Sequence, residues 1–267
     1  MSLSETIARL DVKLPAFDPG HVWLAGAGPG HLAGLTLEVV AALGLADAIV
    51  YDALVDAAAL QAAPQAETHF VGKRAGQPSA TQTFINELIV RLARENKRVL
   101  RLKGGDPNVF GRGGEEAASL TAAGIPFRFL PGVTSAFGAL AAAGMPATLR
   151  GVNKAIILAT GHGIDDTDHL DWAALARTGQ PIVVYMGMSN LPVIVAALRD
   201  GGLADTLPVA VIQGATTTKE RLLVSDLARV EAEVRAAGIT PPALIVVGEI
   251  VAHRFALGSL MREVILP

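Results

Sequence analysis

The sequence predicts an α/β protein made of two consecutive α/β domains with mostly parallel sheets. Short β-rich runs alternate with helical stretches, the order left by parallel strands covered by helices. A second series of the same kind restarts after Arg150-Gly151. At 267 residues, with aliphatic residues dominant and aromatics at 4%, the chain has the size and composition for two medium α/β domains rather than a base-stacking surface.

In the first series, strands are expected at His21–Ala25, Ala48–Tyr51, Thr68–Val71, Val99–Leu102 and Phe127–Leu130. Helices are expected between them at Leu37–Leu45, Thr81–Glu95, Glu115–Ala123 and Ser135–Ala142. Within the Thr81 helix, Phe84, Leu88 and Leu92, with Ile85 and Ile89, recur at helical spacing as one apolar stripe. Gly124 and Pro126 end the Glu115 helix. The second series has strands at Ala155–Ala159, Ile182–Tyr185, Val209–Ile212, Leu222–Val224 and Leu244–Val247, and helices near Leu191–Arg199 and Leu227–Ala237. Residues 1–18 read as an extension, 19–147 as the N-terminal domain and 148–267 as the C-terminal one, with the boundary around Met145–Val152.

A net charge of −3 exerts no global pull on polyanions, so neither nucleic acid nor a membrane surface is an expected partner. Any acidic ligand must be met by locally placed arginines. There is no cysteine, which excludes disulfides, thiolate metal sites and cysteine nucleophiles. The histidines show no metal-binding spacing, so no metal is expected. Glu5, Arg9, Asp11 and Lys13 break any apolar signal core, and the most apolar window, 136–147, is too short to span a bilayer. A cytoplasmic location is expected.

The stretch richest in chemistry is Arg101-Leu102-Lys103-Gly104-Gly105-Asp106-Pro107-Asn108-Val109-Phe110-Gly111-Arg112-Gly113-Gly114-Glu115-Glu116. Glycines at this density let the backbone approach a ligand closely, and Asp106, Arg112 and Glu115 can address it. Asp106 either accepts hydrogen bonds from a ligand or caps its own turn. Arg112, flanked by glycines, has a fork able to meet a carboxylate bidentately. Glu116 is read as a first-turn charge favoured by the helix dipole. Lys73, Arg74 and Arg150 add cationic reach at element ends.

Gly26-Ala27-Gly28-Pro29-Gly30 follows the first strand, with Asp52 at the end of the second, in the manner of a dinucleotide loop. His31 stands where the third fingerprint glycine belongs, and Pro29 removes a backbone donor, so a plain strand-to-helix turn is an equal reading. A third glycine turn is Pro131-Gly132-Val133-Thr134-Ser135. Three such turns at strand ends point to one shared ligand. His162 reads as a loop residue and Met186 as strand packing. There is no Gly-x-Ser-x-Gly elbow and no Gly-Lys-Ser/Thr phosphate loop.

Taken together, these segments resemble the tetrapyrrole methylase family, and within it the uroporphyrinogen methylases, from about Val22 to Val251. Carrying the resemblance are the three glycine turns, Val50-Tyr51-Asp52, Val71-Gly72-Lys73-Arg74 and the Arg101–Glu116 block, with Thr160-Gly161-His162, Tyr185-Met186-Gly187 and Pro242–Glu249 further on. The resemblance implies the class III methylase fold, an active site in the inter-domain cleft and a homodimer. It implies transfer of methyl groups from S-adenosylmethionine to C2 and C7 of uroporphyrinogen III, giving precorrin-2 and S-adenosylhomocysteine. By motif match, Pro29, Gly104, Gly105, Asp106, Val109, Thr134, Ser135, Met186, Ala215 and Ala243 would line the methyl-donor site. Asp52 would be the proton acceptor and Lys73 the proton donor, with Arg112 a second proposed base. Arg112, Glu115, Arg150 and Met186 would face the tetrapyrrole. Two departures stand out: Gln213-Gly214-Ala215-Thr216-Thr217, where many members carry a Gly-Thr pair, and Asn108, where relatives often carry a larger apolar residue. The length leaves no room for the dehydrogenase–chelatase domain of a fused sirohaem synthase. Alternatives are a corrin-pathway methylase of the same fold, a nicotinamide-dependent oxidoreductase and a non-catalytic S-adenosylmethionine sensor.

Overall fold

The computed structural model describes residues 2–10, 12–72, 80–161 and 170–255. It divides into two compact units, one formed by residues up to Gly28 together with Leu32–Gly132, the other by Pro29–His31 with the residues from Val133 onward.

The first unit opens with helix α1 (Leu3–Arg9), started by a capping box in which Ser2 and Glu5 satisfy each other's backbone N–H groups. Its sheet comprises β1 (Val22–Gly26), β2 (Ala48–Tyr51), β3 (Glu67–Phe70), β4 (Val99–Lys103) and β5 (Phe127–Leu130), in the order β3-β2-β4-β1-β5. Every pairing is parallel, as the alternation with helices requires. Helix α2 (Leu37–Leu45) covers one face, packing Val39, Ala42 and Leu43 on Ala25, Ile49, Leu100 and Leu102. Phe17 joins this core and stacks on Trp23 with ring centroids 4.1 Å apart. Helices α3 (Gln82–Arg94) and α4 (Gly113–Ala122) cover the other face, where Ile85, Leu88, Ile89, Leu92 and Leu120 meet Val22, Leu24, Val50 and Val99. The stripe on α3 is narrower than its spacing suggests. Phe84 lies outside it and is exposed, because Ile85 and Ile89 already fill the face toward the sheet.

The second unit contains α5 (Ser135–Ala142), β6 (Ile157–Thr160), α6 (Trp172–Arg177), β7 (Ile182–Tyr185), α7 (Leu191–Asp200), β8 (Pro208–Gln213), β9 (Arg221–Asp226), α8 (Val230–Ala237) and β10 (Ala243–Val247). Strand order is β6-β7-β10-β8-β9. Here the parallel expectation holds only for β6 and β7; the other three pairings are antiparallel. The connection at 214–220 is too short for a crossover helix, so β9 must fold straight back on β8. Helix α6, unmarked by any long periodic stretch, is started by the Asp171 side chain accepting from the Ala174 N–H. Trp172, Ile194, Leu198, Val230 and Val234 close one face over Ile182, Val184, Val209, Val211 and Ile245. Among the described residues no helix is long and apolar enough to cross a membrane.

Candidate active site

In the first unit the strand order fixes where a ligand can sit. Strand β4 lies between β2 and β1, so the chain leaves β1 toward one face, through α2, and leaves β4 toward the other, through α4. The crevice beyond the carboxyl ends of β1 and β4 is therefore a topological switch point, the place where open α/β sheets collect ligands. Three glycine turns converge there. Gly28 and Gly105 exchange backbone hydrogen bonds of 3.1 and 2.7 Å. A Cβ on Gly26 would stand 2.5 Å from the Gly105 carbonyl oxygen and 2.6 Å from the Gly132 Cα, and one on Gly132 would strike the same carbonyl. No side chain fits among them, which is why three strand ends all carry glycine.

Asp106 locks these turns together. Its Oδ1 accepts from the Asn108 N–H at 2.8 Å and its Oδ2 from the Gly132 N–H at 3.1 Å. The turn-capping alternative thus describes its contacts, and both oxygens keep lone pairs for a ligand. Gly104 lies against Leu54, whose Cβ would be 2.6 Å from an added Cβ, and Val109 closes the turn onto the Asp106 carbonyl at 3.3 Å. Beyond it, Phe110 and Arg112 adopt left-handed backbone, φ 52° and 58°. Such conformations cost about 1–3 kcal/mol in a non-glycine residue and persist where the surroundings impose them.

Arg112 is exposed, as its glycine neighbours suggest, but its fork is closed. Nε and Nη2 donate to the two oxygens of Glu115 at 2.7 and 2.6 Å. This pairing holds the Glu115 carboxyl below its ordinary pKa and raises the Arg112 guanidinium. Asp52, just past β2, is held at both ends: Oδ1 accepts from the Leu54 N–H at 3.1 Å, and Oδ2 stands 3.6 Å from Nη2 of Arg101.

Sequence reasoning missed the charges beneath this surface. Arg101 and Lys103 sit two apart on β4 and so share a face, the one covered by α4. Glu116 of α4 reaches down to both, its Oε1 lying 3.0 Å from Arg101 Nε and 2.8 Å from Lys103 Nζ. Glu116 does stand in the first turn of α4, as the helix-dipole reading has it, but it is completely buried and its two ion pairs were not foreseen. The available clue was a pair of cations inside a central strand of an all-parallel sheet, where apolar residues are the rule. Burial pushes the Lys103 ammonium below its ordinary pKa, with Arg101 adding to the effect and Glu116 opposing it.

In the second unit another group of the expected residues comes together. The Tyr185 hydroxyl, at the end of β7, accepts from the Ala136 N–H at 3.0 Å and lies 2.7 Å from Thr134 Oγ1. It thereby does for α5 what the Thr134 side chain does not, fixing the first turn that carries Ser135. Met186, the next residue, has φ 52° and is half exposed, which overturns its reading as strand packing. Pro29 packs on Gly138 of α5, and Gly30 on the Ala215–Thr217 turn, where His31 donates to Thr216 Oγ1 at 3.2 Å. Thr216 itself has φ 64°. Ala243 opens β10 opposite Gln213. Arg150 is exposed in a turn organised by Asn153, a buried side chain that accepts from the Leu149 N–H and donates to the Ala147 and Ala155 carbonyls. Lys73, Arg74 and His162 lie outside the described residues.

Residues 21–231 match the family model of tetrapyrrole (corrin/porphyrin) methylases. A uroporphyrinogen-III C-methyltransferase of Sinorhizobium is 49% identical over 254 residues, covering 94% of this chain and 91% of that one. A sirohaem synthase of Azotobacter vinelandii is 45% identical over 260 residues, but these cover 95% of this chain and only 56% of the synthase. A crystal structure of the uroporphyrin-III C-methyltransferase of Thermus thermophilus in complex with S-adenosylhomocysteine superposes with a TM-score of 0.74 at 38% identity, covering 87% of this chain and 99% of that one.

Proposed function

The chain belongs to the tetrapyrrole methylase family, and on that footing we propose that it methylates uroporphyrinogen III at C2 and C7, using S-adenosylmethionine, to give precorrin-2. The observation that carries this reading is the β4–α4 segment. Within it, a glycine cradle at the sheet's switch point is followed directly by an exposed arginine in left-handed backbone. The cradle suits a nucleoside held by backbone and one carboxylate, and the arginine suits an acidic substrate.

Bound there, S-adenosylmethionine supplies an electrophilic methyl: an electron-rich pyrrole carbon forms the new C–C bond as the S–C bond breaks, and the sulfonium becomes a neutral thioether. Gly104, Gly105, Asp106 and Val109 of the first unit would hold this donor, as would Pro29, Thr134, Ser135, Met186, Ala215 and Ala243 of the second. The glycine turns let backbone groups come close without side chains in the way, and rigid positioning of this kind supplies much of the rate of a displacement reaction. Apolar Val109, Met186, Ala215 and Ala243 exclude water from it.

Uroporphyrinogen carries a carboxylate on every peripheral arm, and Arg112 with Arg150 would orient them. The Arg112–Glu115 pair is exposed and worth about 0–1 kcal/mol, so a substrate carboxylate can take the fork from Glu115 at little cost. The methylated ring is cationic and must lose a proton, for which one modest base suffices. Asp52 would accept it, and Lys73 would be the proton donor. The protein is further taken to be a cytoplasmic homodimer.

Thermal unfolding with added nucleotides tests the choice of cofactor. S-adenosylhomocysteine at a hundred times its dissociation constant should stabilise the fold by about 2.7 kcal/mol, and NAD should leave the melting temperature unchanged. Stabilisation by NAD and none by S-adenosylhomocysteine would move the protein to the oxidoreductases.

A further inference from the structure

Among the described residues the buried charges are Arg101, Lys103 and Glu116, two cations and one anion. A simple structural ion pair needs one of each, and an unpaired cation in a protein interior costs several kcal/mol. The second negative charge is Asp52, whose side chain is 26% exposed and 3.6 Å from the Arg101 guanidinium. Buried charge clusters of this kind are seldom better for stability than apolar residues of the same volume. A role beyond packing is therefore the physical expectation.

The guanidinium is held on three sides. Nε donates to Glu116 at 3.0 Å, and Nη1 donates to the Val50 and Leu102 carbonyls at 3.3 and 3.0 Å. Glu116 is in turn fixed by Lys103 at 2.8 Å. Nη2 alone is left to face Asp52, and it faces Oδ2 while the Leu54 N–H holds Oδ1. The carboxylate is thus set in one orientation at the carboxyl end of β2, beside the switch-point crevice.

We infer that Arg101, clamped by Glu116 and Lys103, is a positioning residue that sets the Asp52 carboxylate for proton abstraction. The inference rests on the proposed role of Asp52. After methyl transfer the substituted ring carbon, which already carried an acidic arm, is quaternary, so the cationic ring loses its proton from an adjacent carbon. That C–H bond breaks, its electron pair forms a C=C bond that neutralises the cationic ring, and the proton forms an O–H bond on Asp52. Arg101 gives up no proton in this step. It keeps the acceptor correctly turned, while Glu116 and Lys103 keep Arg101 from swinging away.

A double-mutant cycle between Arg101→Met and Asp52→Asn tests this. Arg101→Met should fold, because Lys103 and Glu116 remain a neutral pair. It should lower kcat at least tenfold, with the KM for uroporphyrinogen III and the affinity for S-adenosylhomocysteine by calorimetry within twofold of wild type. In the Asp52→Asn background, itself impaired, it should cause no further loss, since a residue acting through another adds nothing once that other is gone. If Arg101→Met proves unfolded, the pair Lys103→Met with Glu116→Gln removes the clamp, keeps Arg101 opposite Asp52, and should show the same non-additivity. Additive losses, or normal kcat in Arg101→Met, would overturn the positioning role and leave the methyltransferase reading intact. Normal kcat in Asp52→Asn would overturn the acceptor role and this inference with it.

Discussion

Arg112 occupies a backbone conformation that glycine adopts freely and arginine does not, between Gly111 and Gly113. A chain selected for stability alone would carry glycine there as well, so the side chain is retained for what it contacts. Arg112→Gly is expected to abolish turnover while the melting temperature stays at or above wild type, because relief of left-handed strain offsets the loss of an exposed ion pair. Arg112→Leu should also abolish turnover, but with the strain kept and S-adenosylhomocysteine binding unaffected in calorimetry. Normal turnover in either variant would remove Arg112 from the substrate site. Gly132→Ala makes the opposite case. Its Cβ would strike the Gly105 carbonyl, so it should lower stability by about 1–3 kcal/mol in urea titration and weaken S-adenosylhomocysteine binding together. At this scale the sequence disclosed the glycine turns, since their residue type is the signal. It did not disclose Glu116, because whether a first-turn glutamate faces water or the interior depends on which strand lies under the helix.

At the level of elements, the first sheet was legible and the second only in part. The strands Ala48–Tyr51 and Phe127–Leu130 and the helix Leu37–Leu45 stand where the alternation of apolar runs puts them. The second unit has similar runs, but strand direction depends on loop length, and the turn at 214–220 reverses the chain. Pairing between elements also rests on a charge contact outside any motif. Asp47, before β2, receives the Arg98 backbone N–H and both ends of its guanidinium, all at 2.9 Å, tying the starts of β2 and β4. This holds the Asp47 carboxyl below its ordinary value, chiefly through the side-chain hydrogen bond from Arg98. A depressed carboxyl stabilises the fold above its unfolded value of 3.8, and that contribution is lost as the pH falls below it. Asp47→Asn should therefore cost roughly 1 kcal/mol at neutral pH, discounted for partial exposure. The gap from wild type should narrow in acid; a gap constant with pH would mean that the charge of Asp47 is not what stabilises.

Over the whole molecule, each unit carries its own half of the proposed chemistry. The first supplies a glycine cradle, a buried charge cluster and an orienting arginine at the ends of a parallel sheet. The second supplies a tyrosine-held helix start, an exposed methionine in left-handed backbone and a threonine turn that receives Gly30 and His31. Sequence could assign residues to both sets because their motifs are local. The contacts that hold those motifs in place, such as Tyr185 on Ala136 or Asp106 on Gly132, join segments that no spacing rule connects. The most direct measurement is anaerobic incubation of the protein with S-adenosylmethionine and uroporphyrinogen III, followed by the mass of the product. A product heavier by two methyl groups, matching precorrin-2, is the expected result. An unmodified substrate, with a later precorrin methylated in its place, would contradict it.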